Sequence, residues 1–221
     1  MYKACIFDLD GTLTDTLESL TYSVNTTLKE LGLSSITREQ CRAFVGEGPR
    51  ALLELSLKAV GDHELVHIEK AVEIYGRIFK DSCTYEVKPY DGIVAMLNSL
   101  KERGVGLAVL SNKPHVQTNK IVAQFFKEGT FEMVEGSKPE VPRKPDPTAV
   151  WKIAEAFGAT KEECVYIGDS DIDMLTGNAA GMLTVGVTWG FRSREVLMKH
   201  GANYLIDQAE ELLTIIDKGA N

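Results

Sequence analysis

Two aspartates stand one residue apart after an apolar run, in Asp8-Leu9-Asp10-Gly11-Thr12. Ser111-Asn112-Lys113 follows a second apolar run, and Gly168-Asp169-Ser170 follows a third, with Asp173 one helical turn on. Lys144 lies in Arg143-Lys144-Pro145-Asp146-Pro147, before a helical pattern. Singly, these residues read as turn formers, helix N-caps or a solvated lysine. As a group they read differently. Four sequence-distant acids and one lysine at one sheet edge would repel and desolvate one another without a compensating cation. Mg²⁺ binds carboxylates together with water and substrate phosphate oxygens, so the group suits a Mg²⁺ site beside a phosphate site.

Other phosphate and metal signatures fail. Asp169, Asp171 and Asp173 have the first three ligand spacings of an EF-hand loop, but Met174 stands where glycine is required and Ala180 where glutamate is. Neither a P-loop nor GxGxxG is present. Cys5, Cys41, Cys83 and Cys164 are scattered, without zinc spacing, and read as free thiols.

The elements that must position these residues follow from hydrophobic periodicity. Ala4–Leu9 reads as a short buried strand. Leu17, Leu20, Val24, Leu28 and Leu31 share one helical face, with Asp15 and Glu18 at N-cap and N3 spacing. Thr37 with Gln40 starts a second helix, Pro49 opens a third through Val60, and His63–Lys80 reads as a fourth. After Pro89-Tyr90-Asp91-Gly92 the rhythm changes, and helices alternate with strands at Val105–Leu110, Phe131–Val134, Cys164–Ile167, Leu183–Val187 and Tyr204–Ile206. The helices are expected at Ile93–Arg103, Pro114–Phe126, Pro147–Phe157 and Asp171–Ala180, and from Gln208. Near-continuous apolar strands alternating with helices imply a parallel sheet covered on both faces. The fold class is α/β, a parallel-sheet core interrupted by an all-helical insertion: residues 1–15 and 86–221 form the core and 16–85 the insertion. In such sheets ligands bind beyond the carboxyl ends of the strands, where the acids fall. Trp151 is expected in the core, Trp189 and Phe191 in the core or a substrate wall, and His115 in solvent.

Composition limits the partners. The 221 residues carry 24 basic and 32 acidic side chains, a formal charge of −8, with 44% hydrophobic residues. The acidic balance argues against a general nucleic-acid or membrane-surface binder. No stretch approaches the ~20 apolar residues of a membrane span, and the N-terminus lacks the apolar core and cleavage site of a signal peptide. A cytoplasmic protein is expected, monomer or homodimer.

Asp8-Leu9-Asp10-Gly11-Thr12, Ser111, Lys144 and Gly168-Asp169-Ser170-x-x-Asp173 resemble the four ordered motifs of the haloacid dehalogenase-like superfamily, over Ile6 to Gly181. The resemblance implies a Rossmann-like core, a mobile helical cap hinged near Asp15 and Tyr85–Lys88, and catalysis with Mg²⁺. It implies Asp8 as nucleophile, forming an aspartyl-phosphate, and Asp10 as general acid and then base. Asp8, the Asp10 carbonyl and Asp169 would hold the metal, with Asp173 in or just behind the ligand set. Ser111 would donate to a phosphate oxygen and Lys144 would neutralise charge on the transferring group. Gly11, Thr12 and Asn112 would line the phosphate, Gly11 letting backbone approach closely.

Asp10 argues for a phosphohydrolase or phosphomutase, since halide-removing members lack an acid there. The β-phosphoglucomutase-like members carry histidine where this chain has Leu20, which ranks phosphatase above mutase. The phosphoglycolate phosphatase group is similar through Phe44-Val45-Gly46-Glu47-Gly48 with Arg50 and through Ser111-Asn112-Lys113-Pro114. Gly46 and Gly48 would then let a cap loop reach the site and Arg50 contact a substrate carboxylate; the alternative is a plain helix connection with Arg50 at the surface. A small phosphorylated metabolite is the expected substrate. An inorganic pyrophosphatase, a sugar-phosphate mutase and a non-enzymatic module holding phosphate and Mg²⁺ remain the competing readings.

Overall fold

The computed structural model describes residues 2–219. The chain divides into two compact units, one running through Thr14 and resuming at Pro89, the other Asp15–Lys88. The first is α/β. Its strands are β1 (Ala4–Phe7), β4 (Gly106–Pro114), β5 (Met133–Ser137), β6 (Cys164–Gly168), β7 (Leu183–Val187) and β8 (Tyr204–Ile206). Two-residue strands β2 (Thr14–Asp15) and β3 (Lys88–Pro89) pair separately. The six-stranded sheet has the order β5-β4-β1-β6-β7-β8, and its pairings are parallel.

Its register explains the apolar runs. Ile6 lies opposite Ala108 on one side and Tyr166 on the other. Because successive side chains alternate faces, Ala4, Ile6, Ala108, Leu110, Cys164 and Tyr166 bury one face together. Val150, Ile153 and Ala154 of α7 (Thr148–Ala156) cover it. The alternate set, Cys5, Phe7, Leu107, Val109, Val165 and Ile167, is buried as well. Helices α5 (Ile93–Glu102), α6 (His115–Phe125), α8 (Asp171–Ala180), α9 (Arg194–Lys199) and α10 (Glu211–Lys218) complete the unit. β1 is central, and the chain leaves it toward β4 and β5 before crossing to β6. That reversal of direction places the ligand crevice at the carboxyl ends of β1, β4 and β6.

The second unit is helical: α1 (Leu17–Glu30), α2 (Arg38–Phe44), α3 (Pro49–Ala59) and α4 (Ile68–Ser82). Thr37 and Gln40 form the expected capping box on α2. The Ser23 and Ser82 hydroxyls meet at 2.7 Å between α1 and α4.

Several boundaries differ from expectation. Helix α4 starts at Ile68 rather than His63, because the Asp62 carboxylate accepts from the backbone N–H groups of Val66 and His67, at 2.9 and 3.0 Å, and holds that stretch as a turn. Thr16 rather than Asp15 is the N-cap of α1 and makes no side-chain capping bond. Instead the Asp15 carboxylate accepts from Leu17 N at 3.2 Å. Strand β4 runs on to Pro114 through a register shift after Leu110, so Ser111–Lys113 belong to a bulged strand end. Strand β5 begins later than its apolar signal, at Met133, and α9 lies where no helix is expected. Trp151 is 51% exposed, with its indole N–H donating to Ala180 O at 3.3 Å; helical spacing of an aromatic did not place it inside.

Candidate active site

Asp8 follows β1, and its N–H donates to Ile167 O of β6 at 2.9 Å. The chain then turns tightly, the N–H groups of Thr12, Leu13 and Thr14 folding back on Leu9 O. Gly11 sits in this turn at φ +85°, and a Cβ there would overlap Asp169 Oδ2. Gly190, in the loop after β7, makes the same demand: its Cβ would overlap Asp169 Cβ. The Asp169 carboxylate is therefore flanked by two residues without side chains.

Asp8, Asp169 and Asp173 are buried, and one carboxylate oxygen from each lies within 4.8 Å of the others. Asp169 Oδ2 accepts from Phe191 N at 2.7 Å and Oδ1 from Thr12 Oγ1 at 3.2 Å. Ser170 caps α8 and its hydroxyl donates to Asp173 Oδ2 at 2.6 Å. The Lys144 ammonium bridges two of the three acids, 2.7 Å from Asp8 Oδ1 and 2.7 Å from Asp173 Oδ1. Its backbone is clamped by Asn112, whose amide donates to Lys144 O at 3.1 Å and accepts from Lys144 N at 3.0 Å.

The charge is unbalanced. Three carboxylates face one ammonium away from water, and charge repulsion then favours proton uptake. Burial, reinforced by Asp173 and Asp10, pushes the Asp8 carboxyl up to about 7 even though Lys144 pulls it down. Burial with Asp173 and Asp8 raises Asp169 well above the usual carboxylate range. Burial works against the Lys144 charge, but Asp173 and Asp8 outweigh it and hold the ammonium well above its ordinary value. A cluster of hard oxygens with surplus negative charge fits a divalent cation of the oxygen-preferring kind.

Asp10 contributes no carboxylate to this trio. Both of its oxygens accept from Lys113 Nζ, at 2.8 and 2.9 Å, and the Lys113 side chain is only 2% exposed. The metal contact implied for Asp10 is through its carbonyl, which this pairing does not touch. Ser111, buried, accepts from Lys113 N at 3.2 Å. Asp8, Asp10, Gly11, Thr12, Ser111, Asn112, Lys144, Asp169 and Asp173 thus all belong to the α/β unit, at the carboxyl ends of β1, β4 and β6 or in the Lys144 loop held to β4. Gly46 and Arg50 belong to the helical unit. Gly46 follows α2 at φ +145°, and Arg50 in the first turn of α3 donates to Glu54 at 3.1 Å and Glu69 at 2.7 Å.

From sequence, Lys113 has no assigned role. The available signal is its spacing, since residues i and i+2 of a strand face the same way and Ser111 is itself a candidate. The Phe191 N–H on Asp169 has no sequence signal, because any residue could supply it. Trp189 donates its indole N–H to Thr12 O at 3.0 Å, bracing the turn that carries Asp10. His115 is held rather than free in solvent: Gly136 N donates to its Nδ1 at 3.1 Å.

A sequence profile of haloacid dehalogenase-like hydrolases matches residues 5–187. Phosphoglycolate phosphatase of Aquifex aeolicus is 34% identical over 189 residues, covering 86% of each chain. Phosphoglycolate phosphatase of Colwellia psychrerythraea is 32% identical over 215 residues, 96% of this chain and 95% of that one. A solved haloacid dehalogenase-like hydrolase of Streptococcus pneumoniae superposes with TM-score 0.86 at 27% identity, covering 97% of this chain and 98% of the other. With the motif residues converging on one buried acidic cluster and the profile spanning most of the sequence, the chain belongs to the haloacid dehalogenase-like hydrolases.

Proposed function

We propose that the α/β unit hydrolyses a small phosphate monoester through a covalent phospho-Asp8, with Mg²⁺ as the ion and 2-phosphoglycolate as the substrate. The chain is a phosphatase of its family. The observation that carries the mechanism is the placement of Asp8: a buried carboxylate beside Asp169, Asp173 and the bridging Lys144. The substrate is supported by the names of the relatives that match nearly the whole chain.

Asp8, Asp169 and Asp173 would hold Mg²⁺ directly or through water, together with the Asp10 carbonyl; when bound, the ion supplies positive charge to nucleophile and phosphate. The Asp8 carboxylate attacks phosphorus, forming the aspartyl-phosphate, while Asp10 gives a proton to the departing alcohol oxygen. Asp10 then takes a proton from the water that attacks phospho-Asp8, and inorganic phosphate leaves. Lys144 offsets charge on Asp8 and the transferring group, and Ser111 donates to a phosphate oxygen. Asn112 serves by fixing the Lys144 backbone. Gly11 and Thr12 set the turn against Asp169. Gly46 and Arg50 remain candidates for recognising the substrate carboxylate.

The test is phosphate release across 2-phosphoglycolate, pyrophosphate, hexose phosphates and other metabolite esters. 2-Phosphoglycolate is expected to give the highest kcat/KM, abolished by chelation and restored by Mg²⁺. Preference for pyrophosphate would overturn the substrate, and turnover unaffected by chelation would overturn the ion.

A further inference from the structure

Lys113 is buried without an assigned task, and burying an ammonium is costly unless it is paired and hydrogen-bonded. Its partner is Asp10, with Nζ at 2.8 Å from one carboxylate oxygen and 2.9 Å from the other. The lysine is itself anchored at the backbone. Lys113 N donates to Ser111 Oγ at 3.2 Å, and Lys113 O accepts from Thr118 Oγ1 of α6 at 3.2 Å. Gly136 of β5 leaves room for this carbonyl: a Cβ there would stand 2.8 Å from Lys113 O and 2.5 Å from Thr118 Oγ1. The register shift in β4 between Leu110 and Pro114 re-aims this stretch, as bulges do beside functional sites.

We propose that Lys113 is a positioning residue for Asp10: by pinning both carboxylate oxygens it fixes Asp10 as the acceptor of the water's proton in the second half of the reaction. A carboxylate has about four acceptor directions and the ammonium occupies one on each oxygen, so acceptor capacity remains for water. In that step the water oxygen bonds to phosphorus and its proton goes to Asp10. The bond between phosphorus and the Asp8 oxygen breaks, its electron pair returning to the Asp8 carboxylate. The negative charge of Asp10 is consumed as the proton arrives, so the lysine contributes mainly orientation. This inference rests on the reading of Asp10 as the base, and the experiment keeps the two apart.

The experiment uses p-nitrophenyl phosphate with saturating Mg²⁺, because p-nitrophenolate departs without needing a proton. Formation of phospho-Asp8 then makes little demand on Asp10, whereas its hydrolysis does. Lys113→Met is expected to lower kcat by roughly 10²-fold, the scale of a lost general base. KM should fall in parallel, leaving kcat/KM within about threefold of wild type, since that ratio reports only the first step. Mixing should release a burst of one p-nitrophenolate per active site as phospho-Asp8 accumulates. Lys113→Arg, which keeps a donor to Asp10, should recover part of kcat and shrink the burst. A fall in kcat/KM equal to that in kcat, with no burst, would overturn the role of Lys113. Asp10→Asn is the control: a burst upholds Asp10 as the base, and its absence overturns that reading and the role of Lys113 with it. Should Lys113→Met fail to fold, Lys113→Gln, which keeps one donor to Asp10, is read on the same split of kcat against kcat/KM.

Discussion

Asp8 is held in a setting that its ionised form dislikes, and this has a consequence for stability in the absence of metal. Folding raises its carboxyl from ~3.9 to about 7, chiefly by burial. A carboxyl raised on folding contributes stability that is fully present below its unfolded value and lost as pH rises through its folded value, because the folded state binds the extra proton. Between about pH 4 and pH 7 this contribution drains away, each tenfold difference in proton affinity being worth ~1.4 kcal/mol. Asp8→Asn keeps the shape without the charge, and Lys144 keeps Asp173 as partner. Metal-free Asp8→Asn is therefore expected to melt near wild type at pH 4 and above it at pH 8, by thermal unfolding in a chelator. A gap that shrinks with rising pH would contradict the burial account. At this scale the sequence was informative about the acids and Lys144 and silent about Lys113 and Phe191. Asp8 and Asp169 read directly because each closes an apolar run, and Asp10 and Asp173 follow them at fixed spacing, two and four residues on. The Lys113 pairing with Asp10 and the Phe191 N–H on Asp169 arise only from tertiary packing.

The elements contribute precision more than chemistry. The end of β4 and the loop before α7 are fastened by the paired hydrogen bonds between Asn112 and the Lys144 backbone. Asn112→Ala would free that loop and let the Lys144 ammonium drift from Asp8 and Asp173. A displacement of ~1 Å can cost on the order of 10²-fold, so kcat for 2-phosphoglycolate is expected to fall between tenfold and a hundredfold with less change in melting temperature than Lys144→Ala shows. Unchanged kcat would mean that the loop holds its place without the clamp. Here the sequence predicted element type well and element ends poorly. The buried strands were clear from their unbroken apolar runs. The extension of β4 through Ser111–Lys113 was hidden because three polar residues there end the apolar run, although all three are buried. The late start of α4 was hidden because the Asp62 carboxylate competes with the helix for backbone N–H groups.

At the scale of the whole molecule, the formal charge of −8 misleads about the substrate. Part of the acidic excess is gathered in one buried cluster of three carboxylates, where Lys144 offsets one charge and a bound divalent ion would offset the other two, so that the cluster would no longer repel a phosphorylated anion. Among the described residues, no helix is long and apolar enough to cross a membrane. An ion that binds the folded protein alone must also stabilise it. Mg²⁺ at a hundred times its dissociation constant is expected to add ~2.7 kcal/mol, seen as a rise in melting temperature that Asp169→Asn diminishes. No rise, with Mg²⁺-dependent activity intact, would show that the ion arrives only with substrate.

If phosphate passes through Asp8, a phosphorylated enzyme must form during turnover. Rapid acid quenching during turnover of ³²P-labelled 2-phosphoglycolate, followed by peptide mapping, tests it most directly. Hydroxylamine-labile label is expected on the peptide carrying Asp8, absent in Asp8→Asn, which should release no phosphate. Sustained phosphate release by Asp8→Asn, or a turning-over wild type that never carries label, would contradict the account.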